Sequence, residues 1–189
     1  MKKFLFALIL IALPLVGNAQ EHMKFMGIPI DGTPAQFGQK LVTQKGMTDI
    51  GRNCYVGKFF GIENCCVAVV GVDNNIRTVS VYFPESKDWT SISARYNQLK
   101  NSLTSKYGEP YNVTEYFDSK YVDDDPSRFY ELIFDRCHYE TSWVMTQGEI
   151  QLKMVNLKGD NSSDSQHVAL FYIDYANFNK AEAAKSDDL

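Results

Sequence analysis

The chain is poor in the residues that carry most catalysis and metal binding. It holds 3 histidines and 4 cysteines, and no pair of them has the spacing of zinc ligands. There is no Gly-x-Ser-x-Gly elbow, no Ser-x-x-Lys pair and no glycine-rich loop to cradle a phosphate. Standard serine hydrolases and nucleotide-binding enzymes are excluded on those grounds, and no cofactor is implied. Positive charge is scarce too. The net charge is −4, and the first nineteen residues carry two of the 19 basic residues and none of the 23 acidic ones, so the remainder stands at −6. The basic residues nearest to a cluster, Arg95, Lys100 and Lys106, are spread along one helix, which excludes a nucleic-acid partner.

Long apolar runs are missing after the start of the chain, and no membrane span is expected. The start itself has Lys2 and Lys3, an apolar stretch from Phe4 to Val16, and the small residues Gly17-Asn18-Ala19 before Gln20. This is the pattern of a secretory signal peptide cut near Ala19/Gln20. No cysteine follows the apolar stretch to take a lipid anchor. The expected location is periplasmic or secreted.

What is present is strong secondary-structure patterning. Ile92, Tyr96, Leu99, Leu103 and Tyr107 fall on one helical stripe, with Thr90 or Ser91 as the expected cap, and Gly108 and Pro110 as the stop. A shorter helix should begin at Thr33-Pro34 and end at Gly46. Between these helices, Cys54 to Phe60, Cys65 to Val72 and Ile76 to Phe83 read as an antiparallel meander, with loops at 61–64 and 73–75. Val79, Val81 and Phe83 alternate with Thr78, Ser80 and Tyr82. After the long helix, Phe129 to Arg136, Tyr139 to Thr146, Glu149 to Leu157 and His167 to Tyr175 are the expected strands, preceded by an acidic loop at Asp123-Asp124-Asp125-Pro126.

These elements define an α+β fold of two tandem repeats, each one helix followed by a three- to four-stranded antiparallel sheet. The expected divisions are a signal peptide over 1–19, repeats over 20–88 and 89–178, and a mobile tail over 179–189.

The thiols lie beyond the leader, so disulfides are permitted. With a loop at 61–64, Cys54 lies near Gly71 and roughly 20 Å along the sheet from Cys65 at ~3.3 Å per residue. That exceeds the ~7 Å a disulfide spans. Pairing among Cys54, Cys65, Cys66 and Cys137 stays open, as does their burial as unbridged thiols. Cys137 and His138 are adjacent in a strand and point to opposite faces, which rules out a thiol–imidazole pair. His22 falls at a frayed start and His167 at a strand edge. Asp160, Ser162 and Asp164 have calcium-loop spacing, but Ser165 replaces the turn glycine and Phe171 the bidentate glutamate, so no metal site is assigned.

Met26 to Thr33, with Phe37, Leu41 and Gly46, together with Tyr107-Gly108-Glu109-Pro110, Trp143 and Gly148 to Leu152, resemble small secreted proteins of gut Bacteroidetes. In outline those are similar to the helix-plus-sheet repeats of the β-lactamase-inhibitor-protein fold and of the outer-membrane assembly lipoproteins that share it. The resemblance implies a binding or envelope role and carries over no catalytic residue.

The resulting expectation is a non-enzymatic binding or envelope-associated module whose partner is an envelope protein or glycan. Among the aromatics Tyr82, Trp89, Tyr139 and Trp143, the tryptophans are assigned to the core. Tyr82 is the candidate contact residue. The rival readings are a hydrolase of envelope polymers built on a carboxylate pair, and a small-ligand or metal carrier.

Overall fold

The computed structural model describes residues 21–72, 74–158 and 164–186, with side chains as far as Lys180. The leader, Asp160, Ser162 and the last three positions of the expected tail lie outside the described residues.

The chain opens with a small hairpin, β1 (Lys24–Phe25) and β2 (Ile28–Pro29), turned by Met26 and Gly27 at φ 50° and 80°. Helix α1 (Pro34–Lys45) starts with a capping box. Thr33 Oγ1 accepts from the Gln36 N–H and the Gln36 side chain accepts from the Thr33 N–H. Gly46 closes the helix in the left-handed region at φ 66°. A four-strand meander follows: β3 (Thr48–Gly51), β4 (Cys54–Phe59), β5 (Ile62–Val72) and β6 (Asn75–Tyr82). Then come α2 (Trp89–Tyr107), β7 (Asn112–Phe117), α3 (Asp125–Ile133), β8 (Cys137–Met145), β9 (Gly148–Leu157), β10 (Ser165–Asp174) and α4 (Tyr175–Ser186).

The larger sheet has eight strands in the order β3-β4-β5-β6-β10-β9-β8-β7, with every pair antiparallel. This corrects the expectation of separate sheets of three to four strands. β6 and β10 each end a meander, and an unpaired edge there would leave a row of backbone N–H and C=O groups open. Their pairing, with Leu170 opposite Val81, joins the meanders into one surface.

Other expectations are corrected as well. The segment assigned to a strand at Phe129 to Arg136 lies largely in α3. The signal was in the acidic loop: Asp124 Oδ1 accepts from the Ser127 N–H at 2.9 Å, and Pro126 stands in the first helical turn. The cap of α2 is Asp88, not Thr90 or Ser91, with Oδ1 2.7 Å from the Ser91 nitrogen. Strand β3 was unforeseen because all four of its residues are exposed. The expected tail begins inside α4, which starts at Tyr175.

The core lies between the sheet and the layer formed by α1, α2 and the β1–β2 hairpin. Phe37 and Leu41 come from α1, and Ile92, Tyr96 and Leu99 from α2; all are buried. Phe25 packs between α1 and the sheet. Its ring stacks on Phe59 at 5.4 Å and meets Phe37 at 6.4 Å and the edge of Tyr172 at 5.1 Å. Trp89 and Trp143 are both in the core, and the Trp143 indole N–H donates to the Gly108 carbonyl.

Candidate functional site

The alternation in β6 sends Val79 and Val81 under the helices and Tyr82 to the opposite face. Register fixes its surroundings: Tyr82 lies opposite Cys66 on β5 and Ala169 on β10. Its ring makes edge contacts with His167 at 6.4 Å and Phe171 at 6.1 Å, and it is half-buried. Burial pushes its hydroxyl above the ordinary phenol range. The small neighbours Ser80 and Ala169 are buried between these larger side chains. Toward β8 the same face turns polar, with Lys153 paired to Glu140 at 3.0 Å.

The meander also places the thiols. Phe60 and Gly61, at φ 53° and 76°, form a two-residue turn. The expected loop at 61–64 is therefore shorter, and β5 begins at Ile62. Cys54 lies opposite Ala68, and Val56 opposite Cys66, so Cys54 and Cys66 share the Tyr82 face one diagonal apart. All four thiols are unbridged. Cys65 and Cys137 are buried on the helix side. Burial, reinforced by the nearby Glu131 charge, pushes Cys137 up to about 12, which keeps it a neutral thiol at physiological pH. His138 faces the other way, toward Asp118 at 2.9 Å.

His167 belongs to central strand β10 rather than to an edge. Both of its ring nitrogens are occupied, by the Phe83 carbonyl at 2.7 Å and Ser165 Oγ at 2.9 Å. His22 is anchored rather than frayed: its Nδ1 lies 3.0 Å from Oδ1 of the fully buried Asp174. Asp174 also accepts from the Met23 and Asn177 backbone N–H groups at 2.6 and 2.8 Å. Nothing local in the sequence signals this pair, which is 152 residues apart.

The acidic loop is committed to structure. Asp124 caps α3, and Asp125 takes Arg128 at 3.0 Å and the Thr90 hydroxyl at 2.7 Å. No cluster of three histidine, cysteine or acidic side chains suited to a metal occurs among the described residues. The buried carboxylate oxygen without a hydrogen-bond partner among them is Glu131 Oε2. No described helix is long and apolar enough to cross a membrane. Comparison with family models, curated proteins and solved structures returns no match.

Proposed function

We propose that the protein is a non-enzymatic binding module that docks a partner protein on the sheet face centred on Tyr82. One observation carries the reading. Tyr82, Phe171 and His167 stand together on the face opposite α1 and α2, in the middle of a broad eight-stranded surface. Aromatic side chains surrounded by small residues and rimmed by charge suit a protein interface. The strand order, mirrored about the β6–β10 seam, supports reading each half as one copy of a helix-plus-sheet unit. The envelope setting rests on the leader and the resemblance.

The test uses the chain from Gln20 to Leu189 as bait in a cross-linked pull-down against envelope extract, beside a Tyr82→Glu, Phe171→Lys double variant and an α1 surface control, Gln39→Glu. The expected result is one saturable partner retained by the control and lost by the double variant with its circular dichroism unchanged. Capture that the double variant leaves intact removes this face as the site.

A further inference from the structure

A concavity lies on the other side of the sheet, between the β1–β2 hairpin, the C-terminal end of α2 and the β8–β9 turn. Its volume is about 510 Å³, the size of a small-molecule site. Three methionines line it, Met23, Met26 and Met145, over a floor that includes Ile150 and Tyr172. Unbranched thioether side chains adapt to an apolar ligand body of irregular shape.

The position of Met26 is informative. It occupies the hairpin turn at φ 50°, a region where glycine, asparagine or aspartate is the ordinary choice. A methionine there strains the backbone and puts a long apolar side chain on the cleft wall.

Charge at the rim is lopsided. Lys24 is engaged by Glu21 at 3.7 Å. Lys106 has no ion pair among the described residues, and its ammonium stands 4.8 Å from the Tyr107 ring centre. Asp174, beneath the His22 wall, is already bound by three donors. Of the two lysines that line the cleft, Lys106 is thus the one without an ion pair among the described residues. A single ammonium suits a monoanion, whereas a phosphate dianion calls for several donors or an arginine fork.

We propose that this cleft binds a small amphipathic carboxylate, its apolar body against Met23, Met26 and Met145 and its carboxylate on Lys106. The site is independent of the Tyr82 face.

Dodecanoate is the probe, titrated into the Gln20 to Leu189 protein below its micellar range and followed by calorimetry and melting temperature. Dodecan-1-ol and dodecyltrimethylammonium serve as chain-matched controls. The expected result is saturable one-to-one binding of dodecanoate with a raised Tm, roughly tenfold or more weaker binding of the alcohol, and none of the cation. Lys106→Glu should abolish binding, and Tyr82→Glu should leave it unchanged. Met26→Gly keeps a residue suited to the left-handed turn while removing a lining side chain: it should leave the circular dichroism of the ligand-free protein unchanged and weaken dodecanoate binding. Absence of saturable binding, equal affinity for the alcohol, or undiminished affinity in Met26→Gly overturns the proposal.

Discussion

Gly38 stands in the middle of α1, where glycine ordinarily costs a helix about 0.5–1 kcal/mol relative to alanine. Here the usual gain is reversed. A Cβ at position 38 would lie 1.7 Å from Tyr55 Oη and 2.2 Å from Cζ, and Tyr55 is itself buried. Gly38→Ala should therefore destabilise the protein by about 1–3 kcal/mol, as overpacking does, read as a lower urea midpoint with an unchanged slope. A helix pattern could not reveal this, because Phe37 and Leu41 define the buried stripe whether or not a tyrosine from β4 presses between them. The same holds for the site residues. The period of two in β6 was enough to place Tyr82 away from Val81. Its neighbours Cys66 and Phe171 depend on registers with β5 and β10 that only the assembled sheet fixes.

At the scale of the element, legibility followed local chemistry. Helix α1 could be read to its ends because Thr33, Pro34 and Gly46 each act within a few residues of themselves. Helix α3 was missed because its cap, Asp124, lies in a run of acids that equally describes a solvated loop. The β4–β5 turn was misplaced because Phe60 is an unusual occupant of a left-handed position, while Glu63-Asn64 has ordinary turn composition. For α2 the cap makes a pH prediction. Hydrogen bonds from the Ser91 backbone and hydroxyl hold the Asp88 carboxyl below its ordinary value of 3.8. A carboxyl depressed in the folded state contributes stability above its unfolded pKa and loses it as pH falls through the folded one. Asp88→Ala should lower the Tm by a few degrees at pH 7, and the gap should narrow as pH falls below the ordinary carboxyl value of 3.8, as thermal melts across pH will show.

The whole molecule is governed by the β6–β10 seam and by Phe25 above it. Phe25 touches Phe37 and Phe59 from the first half and Tyr172 from the second, so neither half keeps a closed core without the other. Calorimetry should show one transition in which the van't Hoff and calorimetric enthalpies agree. Phe25→Ala should cost about 3–5 kcal/mol and melt β4 and β9 together by hydrogen exchange. Two separated transitions would mean that the halves fold as independent units. The antiparallel α+β character was readable from the order of elements. Fusion into one sheet was not, since no short-range signal says that two strands more than 80 residues apart are neighbours.

The last of the described strands, β10, occupies a central place in the sheet, between β6 and β9. A chain assembled from its first residue onward therefore holds two meanders, each with an unpaired flank, until β10 arrives. Folding should be slow, as it is when contacts join distant parts of a sequence. The interval before closure is when another copy's strand could slip into the vacancy that β10 is meant to fill, giving strand-exchanged dimers or aggregates.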